Sequence, residues 1–215
     1  MIKESDIVHC HDVFIWYLPF RFLYPKKPVF TTIHGLEWDE PLAKLSILQK
    51  KMAARHSTKI IGVGKFLEKY LRIKFDLITY GAAEKINKTF KKTKNTIVYI
   101  GRLEENTGLG KFLEWLRKNK QYEVDFCGDG PLRSVCEKYG KVYGFTDPTP
   151  FLQRAEYSVP GGYLAALEAL SFKCKIKVFW SSPLKRDYWK FFSKAVKNET
   201  WESLTNKYLA LWQKK

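Results

Sequence analysis

Three glycine-containing segments constrain the fold more than any other feature of this sequence. Gly101–Leu103 and Gly128–Arg133 each end an apolar run, and Gly161–Leu170 opens a helical pattern. Glycine lets a backbone turn sharply and approach a ligand closely. The free N–H groups and the dipole at a helix start favour a bound phosphate. The spacing therefore predicts strand–turn–helix units whose turns face a ligand.

Strand-like and helical patterns alternate along the whole chain, which is typical of parallel βα units. Predicted strands include Val13–Tyr17 and Lys175–Trp180, and Ala43–His56 is a predicted helix. The polar, lysine-rich stretch Glu84–Asn95 shows no core-forming period, so we expect a domain boundary there. The predicted domains are 1–86 and 95–182, followed by helices over 183–215.

Composition limits the class of protein. Hydrophobic residues make up 45% of the 215 residues, which is enough for a core, and no apolar run is long enough to span a membrane. No signal peptide is evident, and four cysteines without metal spacing favour a reducing, cytoplasmic location. The net charge of +16 implies an anionic partner: a phosphate compound, a nucleic acid or an anionic membrane surface.

In their order, the three segments resemble the nucleotide-sugar-binding domain of the retaining GT-B glycosyltransferases of the group 1 family, and the resemblance covers most of the chain. It implies an α/β fold of two Rossmann-like domains facing a cleft. The first domain would be abbreviated, because Met1 begins almost at a segment that the family reaches later. It also implies that the C-terminal helices pack back on the first domain. A helix that closes its own domain or lies on a membrane is the alternative.

The resemblance implies a donor site in the second domain. Arg102 would hold the pyrophosphate and stabilise the leaving group, and Glu168 would accept the ribose hydroxyls. The family's pyrophosphate lysine corresponds to Thr107, for which Lys111 is a candidate replacement, and its second glutamate corresponds to Pro160. The predicted donor-binding residues are Arg102, Lys111, Gly128, Gly130, Gly161, Gly162, Tyr163 and Glu168, with Tyr143–Phe145 near the base.

The first domain offers an imidazole. His34 ends a strand and resembles the family histidine that faces the donor sugar, so we expect it to be catalytic together with Arg102. His11 and Glu37 are expected on the acceptor side. His9 and His11 have the spacing of a metal pair but lack a third ligand, so we expect no metal.

The resemblance implies transfer of a sugar from a nucleotide-diphosphate donor with retained configuration, without a metal or other cofactor. The acceptor would be a glycan, a lipid-linked sugar or a protein, and the enzyme could contact an anionic membrane surface. The alternatives are an inactive relic that binds a nucleotide, glycan or nucleic acid through its basic surface, and a sugar epimerase of the same architecture.

Overall fold

Two parallel sheets organise the chain in the computed structural model, which describes residues 2–12, 14–36, 42–195 and 199–213. The strands are β1 Val8–His11, β2 Val29–Ile33, β3 Lys59–Val63, β4 Leu77–Thr79, β5 Thr93–Ile100, β6 Glu123–Cys127, β7 Lys141–Val142, β8 Ala155–Pro160 and β9 Lys175–Ile176. The helices are α1 Phe14–Leu23, α2 Leu42–His56, α3 Phe66–Leu71, α4 Leu109–Lys118, α5 Arg133–Cys136, α6 Thr149–Arg154, α7 Tyr163–Ser171, α8 Pro183–Ala195 and α9 Trp201–Gln213.

Contacts divide the chain into a first unit, residues 1–80 with 202–215, and a second unit, residues 81–201. The first unit contains a sheet of order β1-β2-β3-β4, all parallel. Every residue of β2 is buried. Such continuous burial is expected of an inner strand in a parallel sheet covered on both faces.

The predicted strand at Val13–Tyr17 is wrong. Val13 lies outside the described residues, and the positions after it form α1, which buries Tyr17 while Trp16 is 77% exposed. Aromatic and β-branched residues favour strands only weakly, and the apolar run continues to Leu23, which gives it the length of a helix packed on α2.

The second unit has a sheet of order β7-β6-β5-β8-β9, all parallel, with β5 in the middle. From β5 the chain passes outward through β6 and β7, then returns to β8 on the other side of β5. The strand order therefore reverses at the carboxyl ends of β5 and β8, which is where open α/β sheets bind ligands.

Apolar spacing explains the helices that cover this sheet. Leu109, Phe112, Leu113 and Leu116 of α4 are buried at helical intervals against the core that contains Tyr99. The predicted strand Lys175–Trp180 is shorter, because β9 is an edge strand that pairs only with β8, and Phe179 packs on Phe112 instead.

The polar stretch Glu84–Asn95 belongs to the second unit rather than separating the two. Ile86 and Phe90 pack against its core, Lys92 donates to the Leu152 carbonyl at 2.6 Å, and Thr93–Asn95 begin β5. Contacts place the boundary at Tyr80–Gly81. The many lysines of this stretch made it look like a linker, although Ile86 and Phe90 attach it to the core.

The two C-terminal helices belong to different units, so the predicted segment 183–215 is divided. Tyr188 of α8 stacks on Tyr163 in the second unit, with ring centroids 3.7 Å apart. Tyr208 and Trp212 of α9 contact the His9 ring in the first unit, at 5.8 and 5.6 Å between centroids.

All four cysteines are buried and none forms a disulfide. Among the helices that the structure describes, none combines the length and apolar character needed to cross a bilayer.

Candidate functional site

The three glycine turns meet at the carboxyl edge of the second sheet. Gly101 has a φ of +153°, and a Cβ placed on it would lie 3.0 Å from Gly161 Cα. A Cβ on Gly128 would collide with the Gly101 carbonyl oxygen. Glycine is therefore required at Gly101 and Gly128, because any side chain would push these turns apart.

Gly128 and Gly130 form the frame of the site. The Leu103 amide donates to the Asp129 carbonyl at 2.9 Å, and a Cβ on Gly130 would lie 2.7 Å from the Leu103 carbonyl oxygen. The Asp129 carboxylate accepts from the Gly130 amide at 2.8 Å. This turn thus fixes the backbone beside Arg102. Gly144, from the segment predicted near the base, bridges to Gly128.

A buried hydroxyl pair shapes the turn that carries Arg102. The Tyr99 hydroxyl lies 2.8 Å from the Arg102 carbonyl oxygen and 3.0 Å from Thr107 Oγ1, and the Thr107 hydroxyl donates to the Glu104 carbonyl at 2.6 Å. Burial raises the pKa of Tyr99 well above its usual value, so the hydroxyl remains a donor. Sequence reasoning treated Thr107 as a lost cation and missed this structural role.

Arg102 lies at the ligand-binding edge with most of its side chain accessible. It is 65% exposed, and its Nη1 is 3.3 Å from Glu104 Oε2. An exposed pair of this kind is weak, so the guanidinium can reorient toward an anion.

Lys111 has a different partner from the one the sequence suggested. Its Nζ lies 2.9 Å from Glu114 Oε2 on α4, and both side chains are more than half exposed. None of its contacts within residues 42–195 reaches the Arg102 turn. In the described structure Lys111 therefore belongs to a surface ion pair, and its predicted contact with the pyrophosphate stays a prediction.

Lys185, on α8, is a cation near this edge that sequence reasoning missed. Its ammonium donates to the Gly161 carbonyl at 3.2 Å and lies 4.3 Å from the centre of the Tyr188 ring. Burial, followed by repulsion from Arg102, lowers the pKa of Lys185 to about 8. No local motif could have indicated it, because only the tertiary packing of α8 brings it to Gly161.

Glu168 occupies the second turn of α7 and is half-buried. Burial, followed by the Asp147 carboxylate, raises its pKa. Within the described part of the chain its carboxylate has no hydrogen-bond donor. A partly desolvated carboxylate without a partner is suited to accept hydroxyl groups from a ligand.

The start of α7 offers fewer amides than the sequence suggested. The Gly161 amide donates to the Ile100 carbonyl at 2.7 Å, and the Tyr163 amide donates to the Tyr188 hydroxyl at 2.8 Å. Tyr163 is also buried, so we assign it to the packing of α8 rather than to a donor contact. Of these three residues, Gly162 keeps an amide without a partner in the described structure.

The first unit carries a separate histidine row. His11 Nδ1 and His34 Nε2 lie 2.9 Å apart, and the His34 amide donates to Asp12 at 3.1 Å. Burial, followed by His34, lowers the pKa of His11. The structure thus joins the two predicted imidazoles, while Glu37 lies outside the described residues. Among the described residues, no group of His, Cys, Asp and Glu side chains could hold a metal.

No protein-family model and no curated protein matches this chain. Solved structures do match. TarM superposes with a TM-score of 0.69 and 16% identity, over 98% of this chain and 56% of TarM. HepE from Anabaena, in complex with UDP and glucose, gives 0.64 and 10%, over 91% of this chain and 69% of HepE. The pneumococcal O-GlcNAc transferase GtfA, with UDP and GlcNAc, gives 0.54 and 13%, over 82% of this chain and 47% of GtfA.

The chain has a GT-B fold. The predicted α/β class is confirmed by the two parallel sheets and by these neighbours. The chain spans about half the length of TarM and GtfA. At these identities the likeness establishes the fold alone.

Proposed function

We propose that this protein transfers a glycosyl unit from a nucleoside-diphosphate sugar to an acceptor hydroxyl with retention of configuration. The donor site is the carboxyl edge of the second sheet, between the turns after β5 and β8. Arg102 binds the diphosphate, the Gly162 amide binds a phosphate or sugar oxygen, and Glu168 accepts the ribose hydroxyls.

The observation that carries this proposal is the half-buried Glu168, on the helix that opens at Gly161–Gly162, whose carboxylate receives no hydrogen bond from any described residue. The Gly162 amide, which can bind an anion, and the Glu168 carboxylate, which can accept hydroxyl groups, thus lie on the same helix. A nucleoside diphosphate carries the two complementary groups a few ångströms apart. The complexes of HepE and GtfA with UDP support the choice of this ligand class, although these proteins are distant in sequence.

In the proposed reaction the bond from the anomeric carbon to the diphosphate oxygen breaks, and a bond from that carbon to the acceptor oxygen forms on the same face. The acceptor proton passes to the leaving diphosphate. This route needs no pair of catalytic carboxylates, unlike the usual glycoside hydrolases. Arg102 stabilises the charge that develops on the leaving group.

The test is titration of the protein with UDP and other nucleoside diphosphates by calorimetry, followed by assays of nucleoside-diphosphate release from a panel of their sugars. Tight binding and release that depends on an acceptor would support the transferase. A wild-type protein that binds none of these compounds would refute the donor site.

A variant of His34 tests its proposed catalytic role. We expect His34→Asn to leave UDP affinity nearly unchanged while lowering turnover roughly 10²-fold, because its contacts would count in the transition state. His56→Asn, on the same unit at the end of α2, is the matched control and should keep full turnover. Equal turnover in the two variants would remove His34 from the mechanism.

A non-catalytic binding protein is the second candidate, and Thr107 and Pro160 favour it because the family places charged residues there. It predicts that nucleoside diphosphates and their sugars bind without any release of nucleoside diphosphate. Products analysed by NMR would also reveal an epimerised sugar, the third possibility.

A further inference from the structure

Among the residues that the structure describes, the Lys185 ammonium has no counterion. It is half-buried, and its contacts are the Gly161 carbonyl and the rings of Tyr188 and Trp189. Within the described residues no carboxylate pairs with it. Burying a charge is costly unless an opposite charge compensates, so this lysine is poised for an anion that comes from outside the chain.

Arg102 is a second cation at the same edge of the sheet. Arg102 follows β5, Lys185 contacts the carbonyl of Gly161 after β8, and repulsion between the two helps to lower the pKa of Lys185. The Gly101 and Gly161 backbones touch, so both cations border one point of the sheet edge. Two like charges brought together around glycine backbone form a receptor for a group with more than one negative charge.

Thr107 occupies the position at which the family carries its second cation. Its side chain is buried and takes part in the hydrogen bonds with Tyr99 and the Glu104 carbonyl that shape the Arg102 turn. A lysine at this position would lose those bonds and bury its stem. At position 107 the turn therefore carries a hydroxyl that shapes it instead of a second cation.

We propose that Lys185 binds the diphosphate of the donor together with Arg102, so that α8 supplies the cation that the turn after β5 lacks. The identity of the ligand rests on the proposed function, whereas the anion site rests on the contacts of Lys185 and Arg102. The family's pyrophosphate lysine corresponds to Thr107 on the turn after β5, whereas Lys185 lies on α8. The same side chain would therefore hold α8 at Gly161 and bind the donor.

The charge state of Lys185 makes the proposal measurable. The groups around it are Arg102, whose guanidinium is paired with Glu104, the Gly161 carbonyl, and Tyr188, with Tyr163 stacked behind that ring. Tyr188 is neutral, because burial raises its pKa far above the working range. A bound diphosphate would raise the pKa of Lys185, so binding near pH 8 should take up protons.

The experiment compares the intact wild-type protein with Lys185→Met, which keeps the apolar packing on Tyr188, and Lys185→Arg, which keeps the charge. Calorimetry measures the affinities for UDP, UMP and inorganic pyrophosphate at pH 7 and pH 9. Lys177→Met is the matched control, because Lys177 also lies over aromatic rings, those of Trp115 and Tyr157, but not at Gly161.

We expect Lys185→Met to weaken UDP and pyrophosphate binding at least about tenfold at pH 7 and UMP binding less, while Lys177→Met matches the wild type. Wild-type affinity for UDP should fall from pH 7 to pH 9, and Lys185→Arg should abolish this fall while keeping tight binding. Proton uptake, measured in buffers of different ionisation enthalpy, should vanish in Lys185→Arg.

The outcomes separate this inference from the proposed function. Pyrophosphate binding that depends on Lys185, without affinity for UDP or for any other nucleoside diphosphate, would support the anion site and refute the glycosyl donor. UDP binding that is equal in wild type and Lys185→Met would overturn the role of Lys185 and leave the donor site standing. A wild-type protein that binds neither pyrophosphate nor any nucleoside diphosphate would overturn both.

Discussion

The pKa of Glu168 is raised by its surroundings. Burial and the Asp147 carboxylate both disfavour its ionised form, and its immediate neighbours along α7, Leu167 and Ala169, are apolar. Hydroxyl groups donated by a ribose would favour the ionised form again. In the proposed donor site, ligand binding and deprotonation of Glu168 would therefore be linked, and affinity should decline on acidification at a higher pH than for an ordinary glutamate.

We expect Glu168→Ala to weaken UDP binding by about 1–3 kcal/mol, because charge-assisted hydrogen bonds to the ribose are lost. Titration calorimetry at pH 7.5 measures the change. Glu123→Ala, at the opposite end of the same sheet, is the control and should bind normally. Unchanged affinity in a folded Glu168→Ala protein would exclude the ribose contact.

At the scale of elements, the central strand β5 and its following turn act as one unit. Tyr99, the residue before the end of β5, is buried, and its hydroxyl lies within hydrogen-bond distance of the Arg102 carbonyl oxygen and of the Thr107 side-chain hydroxyl. The turn is therefore formed before any ligand arrives, so binding does not have to order it.

Removing that hydroxyl tests this arrangement. Tyr99→Phe should lower the free energy of unfolding by about 1–2 kcal/mol, because buried acceptors lose their donor, and should weaken UDP binding severalfold. Urea unfolding and calorimetry measure the two effects. Tyr122→Phe, in the same core but at the other end of the sheet, should change UDP affinity little. If both variants bind UDP equally, the Tyr99 hydroxyl does not position the turn.

Elements with a clear period were predictable from sequence, and those defined by tertiary contacts were not. The helix α2 and the three glycine turns lie where the pattern predicted them. The helix α1 was missed because its aromatic residues have strand propensity.

In the proposed donor site, the positions of Arg102 and Glu168 at the sheet edge could be predicted because each belongs to a local motif, and their roles in binding stay predictions. Lys185 was not, because its neighbours Gly161 and Tyr188 lie on two elements that only folding brings together. The hydrogen bond from the Tyr163 amide to the Tyr188 hydroxyl could not be predicted for the same reason.

At the scale of the whole molecule, the two units should respond differently to acid. Burial, followed by His11 and His34, holds the pKa of His9 at about 4, whereas an unfolded histidine titrates near 6.5. The unfolded chain therefore binds more protons between these values. The His9 contribution to stability is complete above pH 6.5 and is lost as the pH falls toward 4.

We expect the first unit to lose about 2 kcal/mol of stability between pH 7 and pH 5 through His9. Urea unfolding followed by tryptophan fluorescence should report this loss, because Trp212 lies against the His9 ring. His9→Asn should reduce the pH dependence, and His56→Asn should keep it. An unfolding midpoint for the first unit that is the same at both pH values would contradict the prediction.

The division of the chain also sets an order of assembly during synthesis. Residues 81–201 are contiguous, whereas the first unit needs residues 202–213 to place Tyr208 and Trp212 against His9. A ribosome that makes the chain from its N-terminus therefore completes the second unit before the first can close. Until α9 has left the exit tunnel, β1 lacks the aromatic rings that contact His9.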